Sequence, residues 1–273
     1  MADDAGIDLG HGSIYEWAAS RRPFVHPLKT KRGHTLTVDA PDDHPWHHGL
    51  WFTIKFVNGD NFWEEYDTYG VLRHRGRPTV VLDGAVTGEI EWIAPDRETV
   101  VIDESRTWHT SNIDETTYAV DFSTTLVPIV DVTLDRTPFT TWGGYGGLAL
   151  RGRADWHDTR LLTADGLSHD RVLGDPFRWC SLGGPVADIG DDASITILDH
   201  PRNPNHPTPW YASTRADTYG DEGWSNFCNA AFLWDGPMEV GANEALHFSY
   251  RILVSDRLGD RVWIEEQYEH WAG

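Results

Sequence analysis

Two-residue alternation, repeated at hairpin spacing, restricts the folds open to this chain more than any other feature. Val86, Ile90 and Trp92 share one side of a stretch whose other side carries Thr87, Glu89 and Glu91. Tyr118, Val120, Phe122 and Leu126 stand in the same way against Asp121, Ser123 and Thr125. Near the end, Leu246, Phe248, Tyr250, Ile252 and Val254 oppose His247, Ser249, Arg251 and Leu253. A period of two sends alternate side chains to opposite faces of a strand, one for a core and one for solvent or a second layer. Turn signals separate these runs, at Asn58-Gly59-Asp60, Asp96-Arg97 and Asn112-Ile113-Asp114-Glu115. The pattern predicts an all-β fold, a large antiparallel β-sandwich.

Further strands are expected at 34–39 (HTLTVD), 50–57 (LWFTIKFV), 100–109 and 193–201, and a glycine-rich loop or bulge at 141–152 feeds a buried strand. Only the tail, Asp260–Trp271, spaces its apolar residues for a helix, with Val262, Ile264, Tyr268 and Trp271 interleaved by glutamates. No repeat or linker divides the chain, so residues 1–273 read as one domain, with a loose N-terminal extension over 1–20 and a short C-terminal helix over 260–273.

The formal charge of −21 sets limits on partners. Such a surface repels phosphate backbones and anionic lipid, so neither nucleic acid nor a membrane surface is an expected partner. The chain's start has no basic and apolar leader, and no apolar run reaches the ~20 residues of a membrane span, which makes the cytoplasm the expected location. The two cysteines, Cys180 and Cys228, read as buried thiols. Fourteen tryptophans exceed what a core of this size requires and fit a cleft that stacks rings on flat, partly apolar ligand faces.

Two loops concentrate reactive side chains. DDHPWHHGLWF (42–52) holds His44, His47 and His48 with Trp46 and Trp51; LDHPRNPNHPTPW (198–210) holds Asp199, His200, Arg202, Asn203, His206 and Trp210. Imidazoles serve as general acids and bases near neutrality, or as metal ligands. Two such blocks beside strong strands read as two rims of one pocket. Between them in sequence, NFWEEYDTYG places Glu64 among aromatic residues, where desolvation raises a carboxyl pKa toward general-acid use. Each block also has a purely structural reading, as a turn whose polar groups satisfy backbone.

In order along the chain, RPFVHPLKTKRGHTLT, DDHPWHHGLWF–VNGDNFW, GGYGGLALR, RWCSLGG, ILDHPRNPNHPTPWY and ALHFSYRILVSD resemble the PmoA-like family, DUF6807, from about residue 20 to 258. The resemblance implies a sandwich similar to the galactose-mutarotase-like supersandwich and an association with sugar catabolism. Trp46 stands where the family commonly has histidine, which departs from a three-histidine metal centre. The family's "methane oxygenase" label implies little, and a sequence without an apolar spanning run gives no reason to expect a membrane copper monooxygenase.

The leading expectation is an enzyme acting on a carbohydrate or glycoside by acid–base chemistry: an epimerase, hydrolase or lyase, with a keto-sugar among its substrates. His44, His48 and His200 are the candidate acids and bases, with Glu64 or Asp199 as carboxylate partner. Trp46, Trp51 and Trp210 are the candidate stacking residues, and Arg202, Asn203, His206 and Arg251 the candidate hydroxyl-binding ones. The alternatives are a metalloenzyme holding a divalent metal ion on His44, His47 and His48, and a non-catalytic sugar-binding module.

Overall fold

The computed structural model describes residues 6–19, 21–137, 144–153, 155–186, 191–215 and 226–273. Among these, three antiparallel sheets carry nearly all the regular structure. The first runs Gly6–Asp8, Ile14–Glu16, Phe24–Val25, Leu50–Ile54, Gly146–Arg151, Phe227–Ala230, Pro209–Ser213, Arg171–Pro176 in spatial order. The second runs Ser168–His169, Arg160–Thr163, Trp179–Val186, Asp191–Asp199, Leu246–Ser255, Thr117–Pro128, Val100–Asn112, Val86–Ile93, Val71–His74, with Thr79–Val80 also pairing on Val86–Ile93. A small third sheet joins Met238–Val240, Val132–Asp135, Phe56–Val57 and Asp60–Asn61. The all-β antiparallel sandwich with one short helix, Arg261–Ala272, is the architecture that alternation predicts.

The two large sheets face each other across one apolar core. Leu50, Phe52, Leu148, Leu150, Trp210 and Cys228 enter it from the first sheet, and Ile90, Trp92, Val120, Phe122, Tyr250 and Ile252 from the second. Cys180 and Cys228 are both buried free thiols in this layer. The opposite faces of both sheets are covered too. Phe24, Trp51, Ala149, Tyr211 and Phe227 lie under an aromatic cap on the first sheet's outer side. Ala119, Leu198 and Leu253 receive Ile264 and Tyr268 of the helix on the second sheet's outer side. Period two dictates this sorting: Leu50 and Phe52 point in, and Trp51 between them points out.

Two expectations need correction. The 34–39 stretch forms single bridges, Thr35 to Lys29, Thr37 to Gly152 and Asp39 to His48, each with a different partner, so it threads between elements and builds no ladder. The 50–57 run is interrupted at Lys55, where the chain leaves the first sheet for the third. Gly6–Asp8 pairs in register with Ile14–Glu16 at the edge of the first sheet. The Asn58-Gly59 turn is as expected: φ values of 52° and 85° form the tight connection between Val57 and Asp60 that right-twisted strands favour. Of the glycine block, Trp142 and Gly143 lie outside the described residues. Gly147 has φ 97°, and a Cβ there would sit 2.4 Å from the Ala230 carbonyl oxygen, so the close approach of the neighbouring strand demands glycine. No helix among the described residues is long and apolar enough to cross a membrane.

Candidate functional site

The outer aromatic cap of the first sheet is the floor of the site. Trp63 stacks on Tyr145 with centroids 4.9 Å apart, and Trp51 meets Trp63 edge-on at 5.6 Å. The 39–48 loop lies on this floor and is pinned by His47. Its fully buried ring stacks on Phe227 at 5.1 Å, and the Arg151 guanidinium lies 3.4 Å from its Nδ1. Burial, reinforced by the positive fields of His44, Arg151 and Arg22, drives the His47 pKa well down and keeps the ring neutral.

A second anchor holds the loop by charge. His48 stacks on Phe24 at 4.6 Å and places Nδ1 2.5 Å from Asp39 and Nε2 3.1 Å from Glu65. Burial works against a charged imidazole here, yet the two carboxylates outweigh it and raise the His48 pKa. The hydrogen bond from His48 lowers the Asp39 pKa; for Glu65, His48 and Arg22 overcome burial and lower it as well. Arg22, 2% exposed, donates to the carbonyl oxygens of Trp46 and Trp63 and lies 3.6 Å from Glu65. It ties the histidine loop to the 62–65 turn.

Above these anchors opens a cleft of about 380 Å³. Asp43, His44 and Trp46 line it from the loop, and Lys55, Glu64, Thr137 and Tyr145 from the other walls. The Asp43 carboxylate accepts from His44 Nδ1 at 3.0 Å and from the Arg151 guanidinium at 2.7 Å. Burial pushes the Asp43 carboxyl up, but His44 and Arg151 prevail and hold it at about 2. A carboxylate on Nδ1 fixes the imidazole tautomer, so proton exchange with a ligand belongs to Nε2. Across the cleft, Lys55 donates to Glu64, whose second oxygen accepts from Asn61 at 2.6 Å. Burial lowers the Lys55 pKa, and Glu64 offsets part of that fall. The cleft thus combines an oriented imidazole, two carboxylates, an ammonium and two aromatic walls.

The structure brings His44, Glu64 and Trp46 together in this cleft and places the remaining sequence candidates elsewhere. Trp51 and Trp210 are fully buried, one in the aromatic floor and the other in the interlayer core with its Nε1 bonded to Phe177 O, so neither presents a ring to a ligand. Both ring nitrogens of His48 face carboxylates. The 198–210 loop is not a second rim. It sits on the far side of the sandwich, where buried Asp199 accepts from His206 Nδ1 (2.7 Å), Asn203 Nδ2 (2.7 Å) and Thr208 N (2.9 Å). His206 Nε2 lies 3.5 Å from Tyr268 Oη, and His200 packs edge-on against Trp271 at 5.1 Å, both on the helix. Arg251 makes two 2.7 Å bonds to Asp121 and covers Trp271; Arg202 is exposed at the loop tip. Asp199 follows the parity of Ile195 and Ile197 and pairs with Tyr250, so its carboxylate lies on the interlayer side of its strand beneath its own loop, a fact that composition does not carry.

As to a metal centre, the His44 and His47 rings stack on each other at 4.6 Å with Nδ1 of His44 on Asp43, and both nitrogens of His48 face Asp39 and Glu65. Among the described residues no group of three or more His, Cys, Asp or Glu is placed to hold an ion. Sequence reasoning overlooked Lys55, Asp43, Tyr145, Arg151 and Arg22 as site residues. Lys55 had a visible signal, as a lysine inside the apolar run LWFTIKFV, where a buried ammonium obliges a carboxylate partner nearby.

Comparison with known proteins adds little beyond the family. No curated protein matches the chain. One solved structure, assigned as a kojibiose phosphorylase from the human microbiome, aligns at a TM-score of 0.34 and 9% identity over 81% of this chain and 25% of its own. An alpha-galactosidase from Geobacillus stearothermophilus in complex with raffinose aligns at 0.30 and 12% identity, over 89% of this chain and 32% of its own. The chain therefore spans a third or less of either protein, and their activities remain theirs. The family match lends no support to an oxygenase label. It extends over residues 12–269, and the chain belongs to the family of unknown function DUF6807.

Proposed function

We propose that the protein is a carbohydrate-processing enzyme working by acid–base catalysis in the 43–64 cleft. The observation that carries this reading is the Asp43–His44 pair on the wall of a cleft that also presents Glu64 and the rings of Trp46 and Tyr145. His44, oriented through Nδ1, moves a proton at Nε2. Glu64 and Asp43 accept hydrogen bonds from hydroxyl groups. The two rings cover the C–H face of a pyranose, which is apolar enough to stack although the molecule is polar. The volume of about 380 Å³ suits one or two sugar units.

The test is turnover of a panel of mono- and disaccharides, oxidised sugars included, by the wild-type protein and by His44→Gln. Removing a general acid–base group costs about 100- to 10,000-fold in rate. A panel turned over equally by both proteins refutes the role of His44, and a panel neither bound nor turned over refutes the sugar reading.

A further inference from the structure

We infer that Lys55 binds a substrate carbonyl oxygen, which makes the substrate of this cleft an uncharged sugar carrying a ketone or aldehyde group. The inference rests on the acid–base reading of the same cleft and gives it a substrate class.

Lys55 occupies the one-residue bend between Leu50–Ile54 and Phe56–Val57, where any apolar residue would continue the run at lower cost. Its side chain is 7% exposed, and the exposed part lines the cleft. An ammonium is expensive to bury, and this one is held in place by Glu64, itself fixed by Asn61. An ammonium has three donors, and the Glu64 bond takes one. A hydroxyl-binding cleft gains little from such a group, because Asp43 and Glu64 already accept from hydroxyls. A carbonyl oxygen that becomes negative during reaction gains a great deal. Arg151 is paired with Asp43 and Lys55 with Glu64, so the cleft has no excess of positive charge to draw a carboxylate or phosphate, and the acceptor of the Lys55 hydrogen bond is a neutral oxygen. Burial also lowers the Lys55 pKa, which strengthens it as a donor.

The step balances without a further reactant. His44 Nε2 takes the proton from the carbon beside the carbonyl. The C–H electron pair becomes a C=C bond, and the carbonyl π pair moves to oxygen as an enolate held by Lys55. Return of a proton from His44 to the same face regenerates the substrate, which in heavy water carries deuterium at that carbon. Departure of a β-substituent with its bonding pair, protonated by His44, gives the elimination product.

The experiment follows deuterium uptake by proton NMR, with wild-type protein and methyl 2-, 3- and 4-keto-glucopyranosides in heavy water, beside methyl glucopyranoside. The expected result is exchange at the carbon next to the ketone in at least one keto-glycoside. Lys55→Met is expected to slow that exchange by about 100-fold or more, the usual cost of one donor to a developing oxyanion. Wild-type protein that binds methyl glucopyranoside but neither prefers nor exchanges any keto-glycoside overturns this inference and leaves the sugar reading standing. Undiminished exchange in Lys55→Met does the same. Absence of binding to every sugar overturns both. The wild-type comparison stands whether or not the variant folds.

Discussion

Asp43 and His44 are adjacent in sequence and bonded side chain to side chain, 3.0 Å from Oδ2 to Nδ1, with Arg151 on the same carboxylate oxygen. Asp43→Asn keeps the shape and removes the charge. It is expected to lower kcat on a processed sugar by about 100-fold while changing KM little, since orientation of His44 matters most during proton transfer. Because Asp43 is held at about 2, it stays ionised through the neutral range and adds no limb to the pH–rate profile there. Equal kcat in the variant removes the pair from the mechanism.

The Asp39–His48–Glu65 chain makes stability depend on pH in a defined sense. The His48 pKa is raised on folding, so its contribution is complete below the unfolded value of 6.5 and is lost as pH climbs through the folded one. The pKa values of Asp39 and Glu65 are lowered, so theirs is complete above 3.8 and 4.5 and is lost as pH falls through the folded values. His48→Gln should therefore destabilise most between these ranges, by about 2 kcal/mol for a charge-assisted pair of bonds, and least in alkali. Urea denaturation at a series of pH values measures it, and a pH-independent difference contradicts the assignment.

Within the interlayer core, Glu104 accepts from Arg106 Nε at 2.6 Å, Thr124 Oγ1 at 2.7 Å and Trp92 Nε1 at 2.7 Å, with both charged residues 1% exposed. Arg106→Leu strands the carboxylate and is expected to cost about 3–5 kcal/mol. The double variant Glu104→Gln, Arg106→Leu should recover much of that loss. Additive losses in the melting curves would show that the pair is not coupled.

The distal proline-rich loop offers a contrast. Asp199→Asn weakens the charge-assisted bonds to His206 and Thr208 and should cost roughly 2 kcal/mol. Amide exchange in Arg261–Ala272 should quicken, because Tyr268 and Trp271 pack on this loop. Turnover per folded molecule should be unchanged, since the loop lies across the sandwich from the cleft. A selective loss of turnover would bring the two histidine blocks back into one site.

The fold was legible from particular residues. Leu246, Phe248, Tyr250, Ile252 and Val254 alternate cleanly because one face of their strand meets the core, and the helix shows its period in Ile264 and Tyr268. The site was legible in part. His44, Trp46 and Glu64 came from composition and spacing, yet the same cues also named Asp199, His200 and Trp210. Whether a polar loop faces a cleft or a helix depends on the parity of its strand and on sheet order, which are long-range facts. Arg22 and Arg151 were invisible for a related reason: a buried guanidinium reads as a surface residue until its carbonyl and carboxylate partners are known.

Since the aromatic floor beneath the cleft is separate from the apolar layer between the large sheets, recognition and folding rest on different sets of side chains. Substitutions at Trp46 or Tyr145 can reshape the cleft without touching the interlayer packing. Such insulation makes this scaffold a candidate for retargeting, in which a library confined to one outer surface explores new ligands while the sandwich beneath tolerates the search.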